Sequence, residues 1–589
     1  MPNRKIERVT AKVAGASSAE TFDIYDSIAV HRYDTVASMV ADTDLKADEI
    51  CKTAGYNSKN DGGGAFYIVS SASVSGKYNI ALSNGSYATM IREDVIVPEQ
   101  FGAYGNGSND DTGGLRACFA MGGNIHLPKG KTYVFSSYVP IVSNSIIRFD
   151  ATLTATAVAD TSLEFFDRVT GASGYSGVHD VILYGEGVIN MRGDTMSNGY
   201  ATPIRIYHCS NIRVEGITIK NYSKFHAIEI GGTDGAVIDG VKFLGCYPNG
   251  DEGNHETIQI EGITESGSAG AIPYDGTLSK NITIKNCIFN DSAEAGLTYT
   301  SIGAHQQLND PNWAKYFENI TIENNTFINS RRPTIYFDSN FKNVRIINNL
   351  FKDSVNQHPV LRFDYYMDGI TITDNVFENV AYEVMWLGQN IAPATDSTNV
   401  LKNIYFCNNT IDGYNSLEVN TAAGVDIQAI TEDVTVLNNV FKFDATKSNR
   451  PVFLSAYFQT ATYAKNLIVE NNVYNGRIVS KNDRYFYYGG AASSITQFLQ
   501  DRFAYFMNNI GYVTPLVNPV GGDNRNVYFI FGPKDGTADM CSIVFYNAAS
   551  SRATMLTIPQ VPNVAKLIVT SYSGGSYSHY QIALSSFTG

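Results

Sequence analysis

One short phrase recurs along this chain and leaves few folds open to it. NITIKNCIF begins at Asn281, NITIENNTF at Asn319, NVRIINNLF at Asn343, GITITDNVF at Gly369, NIYFCNNTI at Asn403, DVTVLNNVF at Asp433 and NLIVENNVY at Asn466, with weaker copies from Asn211 and Gly235. From Asn319 onward the copies start 24, 26, 34, 30 and 33 residues apart. A fixed core broken by inserts of changing length is the signature of a solenoid. Each copy alternates apolar and polar residues, as in Ile320 and Ile322 against Thr321 and Glu323, and then breaks at an Asn pair before a large apolar residue. That pattern is a strand followed by a tight turn. Asn tolerates the left-handed backbone such turns need, and stacked amides can bond along the solenoid axis, which accounts for Asn286, Asn324, Asn348, Asn408, Asn438 and Asn471 recurring in register. An antiparallel sandwich would not need one phrase repeated in phase. The expected fold is all-β, a right-handed parallel β-helix.

Composition bounds the partners. Net charge is −14 with no long basic run, which argues against nucleic acid. No apolar stretch reaches about eighteen residues and no charged leader precedes an apolar segment, so neither a membrane span nor a signal peptide is expected. The seven cysteines (51, 118, 209, 246, 287, 407 and 541) are scattered and lack C-x-x-C spacing, which argues against a zinc site or a disulfide framework. No metal and no cofactor are expected.

Residues 1–96 hold no copy of the phrase and read as a small separate module, with a short helix over Thr35 to Ala41, another near Asp48 to Thr53, and a strand over Ala65 to Ser70. The solenoid is expected over 97–484. Beyond 485 the phrase disappears. Runs such as VYFIFG at Val527 and KLIVTSY at Lys566 predict an antiparallel β-sandwich over 485–589.

The stretch Pro98 to Ser136, with FGAYGNG, DDT and LPKGKTY, resembles the entry into the pectate-lyase-like β-helix of bacteriophage tailspikes and capsule depolymerases. That resemblance implies a homotrimer on a virion tail. Its N-terminal module would attach to the phage tail or to another spike protein, and its solenoid would bind a bacterial capsular or O-antigen polysaccharide.

Chemistry must lie on the solenoid surface, because its interior fills with apolar side chains. Taking Ile228/Ile230, Ile258/Ile260, Leu297/Tyr299, Ile335/Phe337, Leu361/Phe363 and Met385/Leu387 as inward leaves two outward columns. One is Glu229, Gln259, Thr298, Tyr336, Arg362 and Trp386. The other is Gly231, Glu261, Thr300, Asp338, Asp364 and Gly388. Carboxylates beside an Arg and aromatic rings suit the binding and cleavage of a glycan. The segment Phe225 to His305 is also similar to a group of bacterial β-helix proteins described as glycoside-hydrolase-like. In their pattern His226, Glu229, Glu256, Gln259, Glu261, Asp275 and His305 cluster on one face. The resemblance makes Glu261 and Asp275 the acid and base candidates, with Glu229 as a further catalytic carboxylate beside them, and the outward columns add Asp338 and Asp364. His305, Tyr336, Arg362, Trp386, Glu256, Gln259 and His226 are the candidate substrate contacts. The Asp-Asp pair and R-x-K element of polygalacturonases and the calcium-binding Asp cluster of pectate lyases are absent, which disfavours pectin. The expected activity is endo-glycosidic hydrolysis. The alternatives are β-elimination on a uronic acid-containing capsule, with Tyr336, His305 or His358 as base and Arg362 as neutralising cation, and a non-catalytic glycan-binding adhesin.

Overall fold

The computed structural model describes residues 30–474 apart from 157–160, 166–171, 196–201, 224, 248–255, 265–272, 296–298, 305–314, 389–400, 420–421, 428–430, 444–451, 457–463. Outside that range, and over most of 452–474, it describes backbone strands alone. Three long sheets carry the chain, with twelve, fourteen and fifteen strands among the described residues. Through the solenoid their order follows every third strand of the sequence, so each coil places one strand in each sheet and the next coil adds a parallel neighbour, the topology of a right-handed parallel β-helix; the fifteen-stranded sheet then ends in consecutive antiparallel strands that begin at Phe486–Ala491. The repeated phrase lays down a long strand, such as Lys280–Lys285 or Phe317–Glu323, and after the Asn turn a three-residue strand, such as Ile288–Asn290 or Thr326–Ile328. A turn of variable length then leads to the third strand of the coil, in what we call the site sheet.

The interior is built from ladders. Phe243, Phe289, Phe327, Phe351 and Phe377 stack ring on ring with centroids 4.7–4.8 Å apart, the spacing of hydrogen-bonded strands. The Asn pair divides its labour. Asn286, Asn324, Asn348, Asn408, Asn438 and Asn471 take φ of 54–59°, the left-handed conformation a turn this tight requires. The stacked amides are those of the following residue, which corrects the expectation that one Asn does both. Asn325, Asn349, Asn375, Asn409, Asn439 and Asn472 are each no more than 1 % exposed. The Nδ2 of each of the first five donates to the Oδ1 of the next at 2.9–3.0 Å. Their main-chain N–H groups donate to the same oxygens. Cys287 ends the row by donating its N–H to Asn325 Oδ1.

At the N-terminal end, a five-stranded sheet of Val30–Tyr33, Ile50–Thr53, Phe66–Ser70, Tyr87–Ile91 and Asn79–Ala81 precedes the solenoid. The expected helix forms over Val36–Val40, with the Thr35 side chain accepting from Ser38 N. The second expected helix does not: Ile50–Thr53 is a strand, parallel to Val30–Tyr33 and antiparallel to Phe66–Ser70. Its alternation of half-buried Ile50 and Lys52 with buried Cys51 and Thr53 has the period of a strand. Leu115, Cys118 and Phe119 of the helix Thr112–Phe119 join the solenoid core. At the other end, Asn526–Phe531, Met540–Tyr546 and Ala553–Pro559 pair antiparallel in sequence, and Lys566–Ser573 forms a hairpin with Ser576–Ala583.

Candidate functional site

The site sheet runs through Thr202–Tyr207, Ile228–Gly231, Glu256–Glu261, Thr300–Ala304, Ile335–Asp338, Leu361–Asp364, Met385–Leu387 and Val425–Ile427. Period-2 alternation sends Ile204, Ile228, Ile258, Ile302, Ile335, Leu361, Met385 and Val425 inward in one register row. The matching outward row is Arg205, Glu229, Gln259, Gly303, Tyr336, Arg362, Trp386 and Asp426. One strand departs from the expected register. Ile302 and Ala304, not Leu297 and Tyr299, take the inward places, so Gly303 stands between Gln259 and Tyr336 while Thr300 pairs with Glu256. The stretch from Leu297 to Ala304 holds apolar residues at both spacings, and only the neighbouring strands decide between them. Leu297, Thr298 and His305 lie outside the described residues.

Two clusters form on the outward face. In the first, His226, Glu229 and Glu261 bring ring-nitrogen and carboxylate oxygen atoms within 4.8 Å of one another, at 4, 6 and 1 % exposure. Arg205 Nε donates to Glu229 Oε2 at 2.9 Å. His226 Nδ1 lies 3.0 Å from the Glu256 carbonyl oxygen and 3.4 Å from its carboxylate. Glu256 reaches that position because Gly303 carries no side chain: a Cβ there would stand 2.4 Å from Glu256 Cγ. Gln259, in register with Glu229, is buried beside them. The imidazole and two carboxylates make a mixed N/O donor set that could hold a divalent cation.

The second cluster is a stack. The Arg362 guanidinium lies 4.7 Å from the ring centroids of both Tyr336 and Trp386, sandwiched between its two register neighbours. Arg362 Nη2 pairs with Asp364 Oδ2 at 3.0 Å, and the Tyr336 hydroxyl donates to the same oxygen at 3.0 Å. Burial pushes the Asp364 carboxyl above its ordinary range, with Arg362 and Tyr336 pulling the other way. The Tyr336 hydroxyl is pushed far up by burial and by Asp364 and Asp338. His358 is brought down to about 4 by burial, then by Arg332 and Arg362. Asp338 is in register with Asp364 on the neighbouring strand and is half-buried. The Trp386 indole lies across Gly388, where a Cβ would meet its Cη2 at 1.9 Å.

The Asp275 carboxylate is held by main-chain donors. Its Oδ2 accepts from Gly174 N at 2.8 Å and its Oδ1 from Thr277 N at 3.0 Å, pinning two surface turns together. Partial burial would raise its carboxyl, but these bonds and nearby His208 outweigh it and bring it down. Three further contributors escape a reading of the sequence. Arg205 follows from extending the outward row one strand earlier. Asp426, at 1 % exposure, continues that row beyond Trp386. Glu383 sits in the turn before Met385 with its carboxyl bonded to Asp426, and burial followed by Asp426 pushes it well above its ordinary value.

The family model for the right handed beta helix region matches residues 176–357, the stretch that contains the first cluster and, of the second, Tyr336 and Asp338. The chain is a right-handed parallel β-helix. Plasmin and fibronectin-binding protein A of Streptococcus pneumoniae (strain ATCC BAA-255 / R6) is 24 % identical to it over 436 residues, covering 67 % of this chain and 57 % of the relative. The chain thus spans a little over half the length of that relative. The crystal structure of PfbA, a surface adhesin of Streptococcus pneumoniae, superposes with a TM-score of 0.54 at 18 % identity over 79 % of this chain and 98 % of that one. Gp49, a tailspike protein and capsular polysaccharide depolymerase of Acinetobacter baumannii bacteriophage Fri1, superposes at 0.41 and 14 % identity over 94 % and 96 %.

Proposed function

We propose that the site sheet of this β-helix binds a bacterial surface polysaccharide and cleaves it by glycosidic hydrolysis, with Glu229 and Glu261 as the reacting carboxylates. The observation that carries this reading is their mutual approach: their oxygens lie within 4.8 Å, on adjacent strands, beside Arg205 and His226. Retaining glycosidases hold their two carboxyl groups about 5–5.5 Å apart and inverting ones farther, so the pair fits retention. In that scheme Glu229, ion-paired with Arg205, attacks the anomeric carbon while Glu261 protonates the leaving oxygen. Glu261 then takes a proton from water, whose oxygen displaces Glu229. The Tyr336–Arg362–Trp386 stack supplies ring faces for neighbouring sugars. Asp275, occupied by two main-chain N–H groups, is left out of the reaction, and Asp338 and Asp364 serve the stack.

Elimination is less well supported. Arg362 already answers the Asp364 charge, and the Tyr336 hydroxyl donates a hydrogen bond and is pushed away from ionisation. A second reading, a non-catalytic adhesin, is favoured by burial: Glu229 and Glu261 are only 6 and 1 % exposed. The 24 % identical relative also carries a name that describes binding. In the tailspike reading, residues 1–96 attach to the virion, and 485–589 hold a homotrimer together or bind carbohydrate at the bacterial surface.

The test is incubation with a panel of capsular and O-antigen polysaccharides, following reducing ends and ultraviolet absorbance together. New reducing ends without unsaturated-uronate absorbance, lost in Glu261→Gln and Glu229→Gln, support hydrolysis. Both signals rising together would replace it with elimination, and binding without either signal would leave the adhesin.

A further inference from the structure

The turns on one edge of the site sheet carry a group of basic side chains that the hydrolytic scheme does not use. Arg331 and Arg332 precede the strand Ile335–Asp338, and His358 precedes Leu361–Asp364. The two strands are register neighbours, and Ile335 N donates to Val360 O, so the turns meet at the same edge. Arg331 is ordered there: its Nη1 lies 3.3 Å from the Tyr299 hydroxyl, its guanidinium stands 5.7 Å from that ring, and Asn356 Nδ2 donates to its carbonyl at 3.1 Å. His358 follows Asn356, the residue bonded to the Arg331 carbonyl, by two positions, and its imidazole is lowered by burial and by Arg332 and Arg362. The basic side chains are all half-buried, so each keeps a face toward solvent. This edge runs beside the Tyr336–Arg362–Trp386 stack, in a chain whose net charge is −14.

We propose that Arg331, Arg332 and His358 form a subsite for the acidic group of an anionic glycan, whose neighbouring sugar rings lie on the Tyr336–Arg362–Trp386 stack. The inference rests on the glycan-binding reading above and names its substrate class. Guanidinium groups answer a carboxylate or a sulfate with paired N–H donors, and a neutral imidazole beside them adds one N–H without adding charge. Asp338 and Asp364 stand at the far ends of the same two strands, and Asp364 is buried and already paired with Arg362. An acidic chain would lie with its charge toward Arg331 and Arg332, at the end of these strands away from Asp338.

The experiment measures binding of the full chain to alginate, hyaluronan and polygalacturonate, to the same three after carboxyl reduction, to dextran sulfate and to neutral dextran. Reducing ends are followed separately. At least one carboxylated glycan should bind, and its affinity should fall roughly tenfold or more on carboxyl reduction and in Arg331→Gln/Arg332→Gln, the size of one or two charge-assisted hydrogen bonds. Arg332→Lys should keep more of the affinity than Arg332→Gln, and raising the salt should weaken the wild type more than the double variant. Tighter binding to dextran sulfate would assign the subsite to sulfate rather than carboxylate. Preference for dextran or the reduced glycans, no binding to any anionic probe, or a double variant that folds with unchanged unfolding temperature and unchanged affinity would each overturn it. Cleavage of neutral glycans alone would sink the subsite and leave hydrolysis standing, whereas arginine-dependent binding without new reducing ends would do the reverse.

Discussion

Replacing Asn349 by Ala should be far more damaging than replacing its neighbour Asn348 by Gly, although both come from the same recurring pair. The Asn349 side chain makes four hydrogen bonds in a buried row. Its Oδ1 accepts from Asn325 N at 2.9 Å and from Asn325 Nδ2 at 3.0 Å. Its Nδ2 donates to Ile322 O at 2.9 Å and to Asn375 Oδ1 at 3.0 Å. Alanine removes all four and leaves two donors and two acceptors facing a space closed to water. Each such loss costs about 1 kcal/mol net, so the substitution should cost about 3–5 kcal/mol. Asn348 is exposed and held at φ +59°, where Gly is at ease, so Asn348→Gly should change stability by a few tenths of a kcal/mol. Because coils of a solenoid open in local units, the assay is native-state hydrogen exchange read by mass spectrometry over 319–352, supported by guanidinium unfolding. Protection in that window should collapse in Asn349→Ala and persist in Asn348→Gly. Equal effects from the two, or a loss below about 1 kcal/mol for Asn349→Ala, would show that the buried row is not what fixes the turn.

Three further outcomes follow from the packing. Gly388→Ala sets a Cβ 1.9 Å from Trp386 Cη2, so the indole must swing away from Arg362. Glycan affinity should fall about as far as in Trp386→Ala, and the double variant should be no worse than either single one, in a binding cycle. Phe327→Ala empties a slot between two rings stacked at 4.7 and 4.8 Å, and should cost about 3–5 kcal/mol by denaturant unfolding. Glu383, its folded carboxyl held by burial well above the ordinary 4.5, keeps a proton that the unfolded chain releases. Its contribution is therefore neutral below that value and becomes destabilising as pH rises, by at most about 1.4 kcal/mol per pH unit. Glu383→Gln should flatten the fall in melting temperature between pH 5 and pH 8, and an unchanged slope would contradict the assignment.

The β-helix is readable in the chain because its two periods, two residues along a strand and one coil between copies, are both imposed by burial. Ile320 and Ile322 cannot leave the interior without exposing a whole face, so the pattern survives any insert. Roles that depend on which of two similar residues is nearer the core are not readable in this way. Asn324 and Asn325 look equivalent in sequence, yet one needs a left-handed backbone and the other a buried amide partner. The same ambiguity let Leu297 and Tyr299 stand for Ile302 and Ala304. Ile50 to Thr53, too short for a full helical period, was settled by sheet neighbours on both sides. The site was legible where it followed strand alternation, as for Glu229, Gln259, Tyr336, Arg362 and Trp386. It was hidden where it depended on a missing side chain, as at Gly303 and Gly388, or on a turn residue such as Glu383.

The ladders also bear on where chemistry can reside. One corner of each coil is locked: the buried amide row repeats with bonds of 2.8–3.0 Å from Cys287 to Asn472, whatever the length of the coil it closes. Length differences between the copies, from 24 to 34 residues after Asn319, must therefore be absorbed at the other two corners, which are the edges of the site sheet. A rigid sheet with variable turns at its rims separates two demands that usually conflict. Glu229 and Glu261 need fixed mutual distance, and strand register supplies it. Recognition of one particular sugar sequence needs adaptable contacts, and turns such as the one carrying Arg331 and Arg332 can change without moving the carboxylates. Exchanging the turn 329–334 should accordingly alter which glycan binds while leaving the stability of the Asn row intact.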